Sequence, residues 1–237
     1  FNTLTPEQEQ VSQDILFNVI DCLESGETGT SVLSGKAGTG KSIVLIHMMY
    51  TLMSAINVTY NDEDLTPDEQ LELGIRISLS NKIRDYVKRQ GNLKIAFVVP
   101  MTSIRKTFKA VFSASKGTGL KSNMVIGPQE VLKKDYDIVF VDEAHRLARR
   151  KNLTAYGAFD KACARLGIDK MTATHLDMIQ LKSRYSVLVY DECQTVKASD
   201  LTPCQFQRSL KLHGRDVHAV YLKTQMRCEG GSSYVEY

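Results

Sequence analysis

The chain has 237 residues, 43% hydrophobic and 24% charged, a balance that suits one globular domain with a substantial core and room for an insertion. A net charge of only +3 excludes a global field that draws nucleic acid, so any such surface has to come from local basic clusters. No apolar run approaches the ~20 residues of a membrane helix, which excludes a helical membrane span and predicts no membrane partner. The five cysteines, Cys22, Cys163, Cys193, Cys204 and Cys228, form no C-x-x-C pair. That argues against a disulfide framework or a zinc site and for reduced thiols in a cytoplasmic protein, or a nuclear one in a eukaryote.

In chain order, Thr5 is a good N-cap and Pro6 sits at the first helical position. Val11, Ile15, Leu16, Val19, Ile20 and Leu23 recur behind them at helical spacing, and Gly26 ends the pattern. Thr30 to Ser34 is a short β-prone run, followed by a Gly-rich turn and an apolar helix from Lys41 to Ile56. Asn57 to Asn92 differs in composition, acidic first and then mixed in charge, and reads as a mostly helical insertion. Strands are expected at Leu93 to Val99, Met124 to Ile126, Ile138 to Val141, Val187 to Tyr190 and His218 to Leu222, with a basic amphipathic helix from Ser103. Strands alternating with helices imply an α/β domain on a mainly parallel sheet.

Gly35-Lys36-Ala37-Gly38-Thr39-Gly40-Lys41-Ser42 fits G-x-x-x-x-G-K-[ST], with a strand before it and a helix after it. Glycines let the backbone wrap a phosphate, and the helix N-terminus presents positive charge to it. Lys41 is expected to meet the β- and γ-phosphates, and Ser42 to ligate Mg²⁺. Further on, an apolar strand ends in Asp142-Glu143-Ala144-His145. Asp142 is placed to hold Mg²⁺ through water, and Glu143 to polarise the attacking water. A kinase does not need that second carboxylate; a hydrolase does. The cofactors expected are therefore ATP and Mg²⁺.

Two further groups read as sensors of the γ-phosphate. Gln194, in Asp191-Glu192-Cys193-Gln194, can bond both a phosphate oxygen and water, or can be a surface glutamine. Arg227, in Thr224-Gln225-Met226-Arg227, can neutralise charge in phosphoryl transfer, or can be solvated. His145 can couple nucleotide state to a nucleic-acid path or cap a helix.

The order of these strings resembles superfamily 1 helicases. Leu4-Thr5-Pro6-Glu7-Gln8 is similar to their adenine-reading segment, which implies that Gln8 recognises adenine. Val98-Val99-Pro100-Met101-Thr102-Ser103 is similar to the motif that grips the nucleic-acid backbone, and Tyr190-Asp191-Glu192-Cys193-Gln194 to the third motif, with Tyr190 in place of its usual glycine. Met226 stands where such motors often carry an aromatic residue, and a thioether contacts adenine less strongly. More narrowly, Val125-Ile126-Gly127-Pro128, Asp142-Glu143-Ala144-His145-Arg146-Leu147 and Thr224-Gln225-Met226-Arg227-Cys228 resemble the family called domain of unknown function 2075, related to the helicase-like domain of long Schlafen proteins. The resemblance implies a RecA-like P-loop fold over residues 1–237, with the insertion at 57–92 and helices on both faces of the sheet. It also implies that the chain, which reads as cut at Phe1 and Tyr237, lacks the second RecA-like motor domain. A fused effector domain elsewhere in the protein would fit that reading.

Thr172-Ala173-Thr174 looks like a motif of superfamily 2, but no apolar strand precedes it. Single-stranded DNA or RNA is the expected partner. Arg105, Lys106, Lys109, Lys116 and Lys121 form one basic cluster, and Arg146, Arg149, Arg150 and Lys151 another. Thr102 and Ser103 can donate to phosphates at a helix start. Phe108, Phe112 and Tyr156 are candidate stacking platforms, with a core role the competing reading for the two Phe residues at i, i+4 spacing. The expected function is a Mg-ATP hydrolysing motor domain of a helicase or translocase. The alternative is an ATP-controlled switch or scaffold that gates an effector without unwinding.

Overall fold

The structure, a computed structural model, describes residues 4–36, 38–56, 67–153, 155–191, 194 and 197–224; the side chains of 67–73, 75 and 76 lie outside that description. Helix α1 (Pro6–Ser25) starts with a reciprocal capping box between Thr5 and Gln8, and Gly26 closes it at a positive φ of 80°. Its apolar stripe, from Val11 to Leu23, packs into the main core. Strand β1 (Gly29–Gly35) leads to α2 (Lys41–Ala55), which is apolar on nearly every side and correspondingly buried. Helix α3 (Pro67–Gln90) forms much of the segment whose composition sets it apart, and Leu79, Ile83 and Tyr86 dock it on α1 and α2.

The remaining elements are β2 (Ile95–Val98), α4 (Thr102–Ala114), β3 (Val125–Ile126), β4 (Tyr136–Val141), α5 (Tyr156–Leu166), α6 (His175–Leu181), β5 (Ser183–Val189), α7 (Pro203–Leu212) and β6 (Asp216–Leu222). Among the described residues, six strands form one all-parallel sheet in the order β3-β2-β4-β5-β1-β6. Alternation along β4 divides the core. Ile138 and Phe140 face α1, α2 and α3, whereas Val139 and Val141 face the layer of α6 and α7. This is an α/β RecA-like P-loop fold. Because every strand runs the same way, all C-terminal ends open on one edge, the edge where such sheets bind ligands.

Strand β5 starts at Ser183, four residues before the expected apolar run. Its first half is polar yet buried, because Ser186 Oγ and Thr30 Oγ1 share a hydrogen bond at 2.9 Å and Tyr185 Oη and Ser31 Oγ another at 2.8 Å. Paired hydroxyls let a polar strand enter the core, so an apolar-run criterion misses it. Arg215, just before β6, is also buried; it donates to the carbonyls of Gly29, Arg184, Gln180 and Ser183, tying three elements together. No described helix is long and apolar enough to cross a membrane.

Candidate active site

The phosphate-loop sequence bridges β1 and α2. A Cβ added at Gly35 would stand 2.8 Å from the Leu222 carbonyl oxygen and 2.9 Å from Thr39 Oγ1, so only glycine lets the loop pass beside β6. Gly40 precedes the helix at a φ of 78°, a region that L side chains rarely adopt. Lys41 is buried at the first position of α2 and turns back over the loop, donating from Nζ to the carbonyls of Gly35 at 2.5 Å and Lys36 at 2.9 Å. Thr39 Oγ1 also donates to Lys36, at 3.0 Å. Ala37 lies outside the described residues.

Strand β4 delivers Asp142 two strands away from β1, and the second residue of α2 reaches across to it. Ser42 Oγ lies 2.9 Å and 3.1 Å from the two oxygens of Asp142 and donates to them. Asp142 is 2% exposed, and burial pushes its carboxyl up to about 6, against the lowering pull of the Ser42 hydroxyl. A carboxylate so poorly solvated, with a hydroxyl beside it, is a donor set of hard oxygens that fits Mg²⁺. Together with the Lys41 ammonium and the loop backbone, these residues fit the cation and the phosphate chain of a nucleotide.

Glu143 follows at a left-handed φ of 52°, unusual for a residue with a side chain and of the kind found at functional sites. Its carboxylate meets His145, whose Nε2 lies 2.8 Å from Glu143 Oε2. The two atoms are close enough for an ion pair but are not aligned as a hydrogen bond. Arg146 Nε lies 3.7 Å away. The His145 contact holds the Glu143 carboxyl below its ordinary value, against burial, which raises it. His145 is fully buried, edge-on to Tyr190, and Tyr190 stacks on Phe206 at 3.7 Å between ring centres. Aromatic contacts thus connect the acidic motif to the end of β5 and to α7.

Asp191 and Gln194 follow β5, the strand between β1 and β4. Asp191 Oδ2 accepts from Gln194 Nε2 at 2.7 Å and lies 3.6 Å from Lys41 Nζ. Gln194 therefore enters the site by way of Asp191, a residue the motif reading quotes without a role. Gln8 is buried as well: its Oε1 accepts from the Thr5 amide at 3.1 Å and its Nε2 donates to the Thr39 carbonyl at 2.9 Å, so it braces the phosphate loop from α1. Its neighbour Glu7 accepts the amides of Lys223 and Thr224, at 2.8 Å and 3.0 Å. Arg227 lies outside the described residues.

The structure brings Gln8, Lys41, Ser42, Asp142, Glu143 and Gln194 around one strand edge. The residues expected at nucleic acid divide. Thr102, Ser103, Lys106 and Lys151 are exposed. Arg105 donates to Thr102 Oγ1 at 2.9 Å, lies 3.6 Å from Glu130 and packs so tightly on Gly127 that a Cβ there would meet its guanidinium. Arg149 donates to the Ala198 carbonyl at 2.9 Å, and Arg150 holds Asp160 with two bonds at 2.7 Å and 2.9 Å while lying over the Tyr156 ring. Phe112 is core, and both it and Phe108 pack on Phe97. Tyr156 remains 40% exposed.

Among protein families, the one described as Schlafen group 3, DNA/RNA helicase domain, matches residues 29–237. The comparison with curated proteins returns no match.

Proposed function

The chain belongs to the Schlafen group 3 DNA/RNA helicase domain family, and from that premise we propose that it binds and hydrolyses Mg-ATP as the first motor domain of a superfamily 1 helicase or translocase acting on single-stranded DNA or RNA. The kinship with domain of unknown function 2075 belongs to the same proposal. One observation carries it: the Ser42 hydroxyl meets the Asp142 carboxylate across two strands, with Lys41 and Glu143 adjoining them in sequence. A serine and a buried aspartate converging beside a phosphate loop are the two protein ligands that a nucleotide-bound Mg²⁺ requires.

In this reading Lys41 Nζ and the loop amides bind the phosphates, and Ser42 and Asp142 hold the cation. The cation supplies charge neutralisation on the phosphate oxygens. Glu143 accepts the proton of the attacking water, and His145 with Arg146 orients that carboxylate. Gln194 Nε2 donates to a phosphate oxygen or to the water, and Arg227 neutralises developing charge. Gln8 braces the loop and reads adenine once its amide exchanges its present bonds. Thr102, Ser103, Lys106 and Lys151 offer free donors to a nucleic-acid backbone.

The test is steady-state ATP hydrolysis by the full-length protein, with and without single-stranded DNA or RNA, beside Glu143→Gln. The wild type is expected to turn over ATP faster with the single strand. Glu143→Gln is expected to bind Mg-ATP normally and to lose about 100-fold or more in kcat. Wild-type turnover by Glu143→Gln would remove the base. Hydrolysis indifferent to nucleic acid would favour the switch or scaffold.

A further inference from the structure

Asp142 and Glu143 both have a place in the proposed chemistry. Asp191 does not, yet among the described residues its carboxylate pairs with the phosphate-loop lysine. Its position follows from the sheet. β1 and β5 are neighbours, with Leu33 opposite Val189, and the Tyr190 amide donates to the Leu33 carbonyl at 3.1 Å. Asp191 therefore emerges one residue later, beside the turn that carries Lys41. Both side chains are about nine-tenths buried, at 9% and 10% exposure.

Among the described residues, three oxygens surround Lys41 Nζ: Gly35 O, Lys36 O and Asp191 Oδ2. All belong to the chain: the two carbonyls accept hydrogen bonds from Nζ, and Asp191 Oδ2 stands at ion-pair distance. A phosphate brought to Lys41 would compete with the Asp191 carboxylate for its ammonium, where little solvent screens the repulsion between the two anions. The Lys41–Asp191 ion pair has to be exchanged for the phosphate rather than shared with it. Asp191 Oδ2 is also the atom that holds Gln194 Nε2 at 2.7 Å, and the Gln194 amide donates to the Asp191 carbonyl at 3.3 Å. Whatever moves the Asp191 carboxylate therefore moves the glutamine.

We propose that Asp191 is a phosphate-displaced latch: one carboxylate oxygen holds Lys41 and Gln194 together, and a nucleotide's phosphates, by taking Lys41, free the carboxylate to hand Gln194 over to the phosphate chain. Asp191 is then a positioning residue that reports occupancy of the loop to the segment after β5. The inference rests on the nucleotide-binding reading above.

The experiment compares wild type, Asp191→Asn and Asp191→Ser in the full-length protein. Titration calorimetry with Mg-ATP and with Mg-tripolyphosphate gives affinity, and thermal melting without ligand gives stability. The asparagine keeps the shape and loses the charge that competes for Lys41; the serine is the second variant should the first not fold. The latch predicts opposite signs: a lower melting temperature without ligand, and binding tighter by about fivefold. A merely structural role predicts that both worsen together. Unchanged or weaker binding by the variants, with wild type binding normally, would overturn the latch alone. Failure of the wild type to bind either ligand would overturn the nucleotide site and the latch with it.

Discussion

Two groups of basic and polar residues follow strand ends in this domain, and they use their charge differently. Around the phosphate loop, Lys41, Asp142 and His145 are buried, and the contacts among the site residues join different segments of the chain: Lys41 to Asp191, Ser42 to Asp142, Gln8 to Thr39. In the flank formed by the start of α4 and the segment after β4, three arginines are held by the surrounding chain, and the exposed donors are Thr102, Ser103, Lys106 and Lys151. The difference teaches which charges a ligand can recruit. A buried ion exists only with partners, so it marks a built site whose rearrangement has consequences. A half-buried arginine already fastened to a carbonyl or carboxylate is mostly architecture, whatever its sign suggests in a sequence.

The largest break of that contrast is Lys41→Ala. It removes the ammonium proposed to meet the phosphates and the charge-assisted bonds it makes, and Mg-ATP affinity should fall by about 100-fold in titration calorimetry. Near-native affinity would move the nucleotide elsewhere. Gln8→Ala comes next. It strips the loop of its brace and α1 of half its capping box, so it should cost about 1 kcal/mol of stability by thermal or chemical melting. It should also shrink the preference for ATP over GTP. A preference unchanged from wild type, or no preference in either protein, would leave Gln8 purely structural. The smallest effect sharpens the flank: Lys151→Ala should weaken binding of a fluorescent single strand a few-fold and flatten its salt dependence by roughly one unit of slope. Arg150→Ala should act mainly on melting temperature, through the lost Asp160 contact. If Arg150→Ala costs more nucleic-acid affinity than Lys151→Ala, the division between architectural and free charge is wrong there.

Much of the fold could be read from residue order. The helix of α1, its N-cap Thr5, the apolar β4 and the loop before α2 each combine a local pattern with a local stop signal. The polar half of β5 could not be read that way, because Ser183 to Ser186 become core only when Thr30 and Ser31 arrive opposite them. Within the site, Ser42 and Asp142 stand 100 positions apart but announce themselves, since each sits in a motif with its own spacing. Asp191 sits in such a motif too, but its partner, Lys41, is chosen by strand order.

By itself the sequence determined the elements that local chemistry dictates: the phosphate loop between a strand and a helix, the carboxylate pair at a strand end, the helix starts and the apolar faces. Caps, turns and periodicity act over a few residues, so they are written where they occur. Only the tertiary structure decided which strand ends are neighbours, and therefore that Asp191 reaches Lys41 and that Ser42 meets Asp142. Those pairings depend on the order β3-β2-β4-β5-β1-β6, which packing of the whole chain selects and no single segment encodes.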